Sequence, residues 1–181
     1  MGYRNGWLAV KNVNLDAVLA AIGLKRESES KEAIYDPGHY AVAMPGGWMV
    51  VIGDGTDAME TVKPEHARAL SKGTEALHFT CNDTAMCAAI TAYQNGKEVW
   101  SLEHDGSNGV GTPVVTGNAP AIVSETIARC QAEQDESGDE SVDCLYEAAP
   151  EIGLALTGFR HDQTLGDGDH LPIFVLSDLR P

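Results

Sequence analysis

Apolar residues along this chain follow two rhythms. In GWLAVKN (6–12) they alternate, with Trp7, Ala9 and Lys11 on one face and Leu8 and Val10 on the other, which reads as a first strand. In NLDAVLAAIGL the spacing changes. Leu15, Val18, Leu19 and Ile22 recur at the three- and four-residue steps of an amphipathic helix. Asn14 is placed to cap it, Asp16 suits its positive end, and Gly23 can close it.

The next ten residues, KRESESKEAI (25–34), read as a charged surface connection. YAVAM, Pro45-Gly46-Gly47 and WMVVIGD then predict two strands joined by a tight turn. Both faces of 48–52 are apolar, as expected for a central, covered strand. GDGTD (53–57) reads as a loop, and Pro64 opens a short helix to Lys72 that Gly73 ends. Leu77, Phe79 and Cys81 alternate with His78 and Thr80, giving a half-buried strand over 75–81.

Asn95-Gly96 between two apolar runs predicts a β-hairpin. In a regular two-residue turn Tyr93 faces Glu98, Thr91 faces Trp100, and Cys87 falls opposite His104. A helix over 84–93, capped by Asp83, is the competing reading, and the hairpin is favoured. Beyond a glycine-rich turn, Val114 and Val115 mark a short strand. Asn118 is placed to cap a helix to about Glu133, with Val123, Ile127 and Cys130 inside. EQDESGDESVD (133–143) holds six acidic residues in eleven and reads as an exposed, mobile loop. CLYEA reads as a strand, Pro150 to Gly158 as a short helix, and LPIFVLSD as a last strand. The sum is a single α+β domain over 1–181: a mainly antiparallel sheet with helices packed on it, a division into two similar halves being left open.

Charge narrows the function. Twelve basic against 27 acidic residues leave a formal charge of −15. That repels nucleic acid and anionic membrane and favours basic partners or plain solubility. The N-terminal residues carry no secretory pattern and no apolar stretch approaches a membrane span, so the expected location is the cytoplasm. Cys81, Cys87, Cys130 and Cys144 have no C-x-x-C spacing and match no zinc pattern, which favours reduced thiols and no cofactor.

Two constellations offer chemistry. His104, Asp105, His161, Asp162 and His170, the last three within or beside RHDQTLGDGDH (160–170), together present imidazoles and carboxylates that a metal-dependent hydrolase would use. The plainer reading of RHDQTLGDGDH is a polar loop joining the last helix to the last strand. Cys87 opposite His104 has the composition of a nucleophile–base pair, but Met86 and alanines flank it, and an apolar setting raises a thiol. No catalytic residue and no metal ligand is therefore assigned.

MGYRNGWLAV, MPGGWMV, NGKEVWSLEHDG and LTGFRHD, in that order, resemble an uncharacterised family of small acidic bacterial proteins, whose members look like immunity or accessory proteins of toxin systems. The resemblance implies no functional residues. Together with the charge it yields the leading expectation: a non-enzymatic immunity protein that occludes the basic cleft of a toxin with exposed carboxylates. The candidates are Asp54, Asp57, Asp105, Asp135, Glu136, Asp139, Glu140 and Asp162. The alternatives are the metal-dependent hydrolase and a structural or regulatory module without a toxin partner.

Overall fold

A computed structural model describes residues 4–30, 37–107, 111–138, 142–162 and 171–179. Among these, the alternating segments form one nine-stranded sheet in which neighbouring strands run antiparallel. The strands are β1 (Arg4–Lys11), β2 (Leu24–Ser30), β3 (Gly38–Met44), β4 (Trp48–Asp54), β5 (Glu75–Asn82), β6 (Cys87–Gln94), β7 (Lys97–Asp105), β8 (Val114–Gly117) and β9 (Ile173–Asp178). Their order is β2-β9-β3-β4-β1-β5-β6-β7-β8. The helices are α1 (Leu15–Ile22), α2 (Thr56–Met59), α3 (Pro64–Leu70), α4 (Ala121–Ser137) and α5 (Ala148–Thr157). The α+β class expected from the sequence is the one the chain adopts.

The two faces of β1 each build a core. Trp7 and Ala9 join Val50, Leu77, Phe79, Ile90 and Leu102 beneath Val123 and Cys130 of α4 and Ile152 of α5. Leu8 and Val10 join Val51 and Ala76 beneath the apolar stripe of α1 and Ala67 of α3. Each fully buried large side chain contributes about 1.5–3 kcal/mol, so two opposed layers hold the sheet from both sides. The α1 caps are those expected: Asn14 Oδ1 accepts from Ala17 N, and Gly23 adopts the left-handed conformation.

Five expectations are corrected. Residues 24–30 are strand β2 and not a connection. Its polar residues sit at the sheet edge, where Leu24 is buried and Arg26 lies 4.2 Å over the Phe174 ring. An edge strand needs no apolar face, and charges there discourage pairing with other chains. Residues 31–34 lie outside the described residues. In 53–57, β4 runs on to Asp54 and Thr56 begins α2. Asn118 does not cap α4, because its amide donates to Val99 O on β7; the helix starts at Ala121 behind Pro120 and runs to Ser137, four residues past Glu133. Thus 133–137 is helix and not loop. CLYE is a 3-10 turn (Cys144–Glu147), with Leu145 and Tyr146 both buried, which the alternation of a strand does not allow.

The fifth correction is register. The Asn95-Gly96 hairpin forms, with both turn residues at positive φ (52° and 78°) as a primed turn requires. Tyr93 faces Glu98, but a bulge follows, and Ala92 pairs with Trp100. Thr91 therefore faces Ser101, and Cys87 faces Asp105 while His104 pairs with Ala88. One extra residue on β7 moves every later side chain by one position.

His78, on β5, is largely buried, and its Nε2–H donates to Val62 O at 2.9 Å. Burial lowers its pKa, opposed by the Val62 carbonyl and Glu65. A histidine with a depressed folded pKa contributes stability above its unfolded value of about 6.5 that is lost as pH falls below it. The melting-temperature advantage of wild type over His78→Gln should therefore shrink between pH 7.5 and 5. An advantage that grows on acidification would contradict the assignment.

Candidate functional site

The strand register brings separate parts of the chain to one end of the sheet. Asn5 pairs with Asp54 and with Cys81, Arg4 with Asn82, Asn82 with Cys87, and Cys87 with Asp105. This is the end where β1 begins and β4, β5 and β7 finish. On the α3 face it holds an open groove of about 590 Å³, with Met59 on one side and Val114 on the other. Thr80, Cys87, Ala89, Glu103 and Asp105 also line it. The helices of this face pack on β1, β4 and β5 and on the start of the hairpin, which leaves the β7–β8 part uncovered.

The acidic candidates cluster around that end. Asp105 is exposed; its Oδ1 accepts from Ser107 N at 3.0 Å and from Cys87 Sγ at 3.3 Å. Ser107 holds its carboxyl below the ordinary range. Asp54 is half-buried, and burial raises it. Asp57 lies exposed in the first turn of α2. Asp135 and Glu136 are exposed on α4; Asp135 accepts from Gln131 Nε2 at 2.8 Å. Gln134, beside them, binds Val142 O and Cys144 N, which places this turn of α4 next to the sheet end. Asp139 and Glu140 lie outside the described residues. Asp162 is bound through both oxygens by Arg160, at 2.6 and 3.0 Å. Burial pushes Asp162 up, but the hydrogen bonds and charge of Arg160 outweigh it and leave it lowered. Arg160 also reaches Glu147 and Glu151, so its side chain orders three carboxylates and holds Asp162 in place beside α5.

The histidines and Asp105 do not come together as a metal set. As neighbours on a strand His104 and Asp105 point to opposite faces, and the bulge sets His104 on the α4–α5 face and Asp105 on the other. Cys87 and His104 are likewise on opposite faces, and partial burial and Asp105 raise the Cys87 thiol. His170 is outside the described residues, as is the rest of RHDQTLGDGDH beyond Asp162.

Two buried pairings were not legible. His104 Nε2 lies 2.8 Å from Asp143 Oδ2, with side chains 0% and 8% exposed. Cys81 Sγ donates to Asn5 Oδ1 at 3.2 Å and lies 3.5 Å from His161 Nε2; Tyr146 hydroxyl donates to Asp83. Burial pushes the Cys81 thiol up to about 12, which makes it a poor nucleophile at neutral pH.

Asp143→Ala should destabilise the protein by about 1–3 kcal/mol, because it strips His104 Nε2 of its partner in a buried site and removes the acceptor for Tyr146 N. Denaturant unfolding checks this, with Asp143→Asn expected to cost less. Equal stability of Asp143→Ala and wild type would contradict the pairing.

Compared with known proteins, the chain matches no family model, no curated protein and no solved structure.

Proposed function

We propose that the protein is a non-enzymatic binding protein whose acid-rich sheet end engages a basic protein partner. In the narrower form of this reading the partner is a bacterial toxin, and the protein is its immunity protein, acting by occluding the active cleft. The supporting observation is the gathering of Asp54 and Asp57, from the β4–α2 junction, and Asp105, from the end of β7, at one end of the sheet, with Asp105 lining the groove there, on a chain of formal charge −15.

The physical logic is electrostatic. Exposed carboxylates steer a basic partner and make association fast and salt-sensitive. The groove has Glu103 and Asp105 along it, carboxylates with which a projecting lysine or arginine side chain would pair. No helix among the described residues is long and apolar enough to cross a membrane. The toxin identity rests on the sequence resemblance.

The test is growth of cells expressing the product of the neighbouring gene, with and without this protein. Rescue supports the immunity reading. Equal growth in both cultures would remove it, and binding without any growth effect would leave a partner-binding module of another kind.

A further inference from the structure

At the same end of the sheet but on its α4–α5 face, behind the groove that Cys81 also borders, three donors of different chemistry converge. Cys81 is the last residue but one of β5, Asp83 follows in the next turn, and His161 follows α5. One ligand atom from each lies within 4.8 Å of the other two. We propose that Cys81, Asp83 and His161 bind a divalent transition metal, with zinc as the best fit.

The geometry suits a tetrahedral ion. With Zn–S of about 2.3 Å and Zn–N of about 2.0–2.1 Å, a tetrahedral edge between sulfur and nitrogen comes to about 3.5–3.6 Å. Cys81 Sγ and His161 Nε2 are 3.5 Å apart. Thiolate, imidazole and carboxylate are a donor set that a borderline-soft ion accepts, and the two anions balance its charge in a buried place. Cys81 is 2% exposed. Asn5 Oδ1, 3.2 Å from the same sulfur, offers a fourth donor.

The surroundings hold the donors in place. Tyr146 hydroxyl fixes the Asp83 carboxylate, and the Phe79 ring lies 5.4 Å from the His161 imidazole. Such supporting contacts orient ligands around an ion. Without metal the Cys81 thiol stays protonated, since burial raises it; binding exchanges that proton, released to solvent, for the Zn–S bond. Burial also lowers His161, which favours the neutral imidazole that a metal needs. This site is independent of the partner-binding reading.

The experiment is titration of the full, untagged chain with Co²⁺ alone under a metal-free reductant, followed by absorption. The expected result is one equivalent bound, with a thiolate-to-cobalt charge-transfer band that Zn²⁺ abolishes by displacement. Cys81→Ser should lose the band. Asp83→Asn, at a half-buried position, should weaken Co²⁺ binding by about tenfold or more, in the range reached when a metal site is disturbed. Cys130→Ser, at a buried cysteine of α4, should retain wild-type binding. Absence of the charge-transfer band in wild type overturns the proposal. So does a band that survives Cys81→Ser, or unchanged affinity in Asp83→Asn should Cys81→Ser fail to fold.

Discussion

The combined variant Asp57→Asn, Asp105→Asn, Asp135→Asn and Glu136→Gln should bind the basic partner with an association rate lower by about tenfold or more at low salt. All four carboxylates are exposed, and exposed substitutions of this kind usually change stability by no more than about 0.5 kcal/mol each. The fold should therefore persist. Removing four negative charges takes the formal charge only from −15 to −11, so a loss of rate reports their placement more than the total. Steering weakens as salt rises, so the wild-type rate should fall steeply with ionic strength and the variant rate much less. Stopped-flow association at two salt concentrations checks both expectations. The charge-matched control for the pair Asp57→Asn with Asp105→Asn is Glu75→Gln with Glu98→Gln, which also removes two charges but at the opposite end of the sheet beside the Asn95-Gly96 turn. An equal slowing in the control would show that overall charge, and not the acid-rich end, drives association.

Trp7→Ala should be the most damaging single core substitution proposed here, at roughly 3–5 kcal/mol. Trp7 is 1% exposed, stacked on Phe79 at 5.1 Å and edge-on to Phe159 at 5.8 Å. It therefore ties the central strand to the end of α5. The fit is close: a Cβ placed on Gly153 of α5 would lie 2.8 Å from Trp7 Cζ2. Among the described residues the Trp7 indole N–H is buried without a hydrogen-bond partner. Trp7→Phe therefore discards a polar group that gains nothing and should cost clearly less than Trp7→Ala. Denaturant unfolding of the two variants separates them. Equal losses would mean that the indole contributes through something other than packing.

Where local patterning dictates structure, the sequence is readable. The α1 stripe and its Asn14 and Gly23 caps lie within ten residues, and the Asn95-Gly96 turn needs only its own two positive-φ residues. Strand β2 was hidden because an edge strand paired with β9 carries no alternation of its own. The β7 bulge was hidden because its effect is a one-residue slip, invisible in the composition of either strand, yet it decides that His104 and not Asp105 turns to the α4–α5 face.

The site was partly legible. Acidic residues at strand ends and turns can be picked out one by one, as Asp54, Asp57 and Asp105 were, but only the register shows that they share an end. The His104–Asp143 and Cys81–His161 pairings span 39 and 80 residues. No local signal links partners so far apart. Asp143 was submerged in an acidic run that reads as solvated, and Asp83 looked like a helix cap.

The most direct measurement is hydrogen exchange of the protein alone and in complex with the product of the neighbouring gene. The account predicts new protection in residues 54–59, 82–87 and 103–107, the segments that surround the groove. Protection confined to residues 44–48, 72–75 and 94–97, at the opposite end of the sheet, would contradict it.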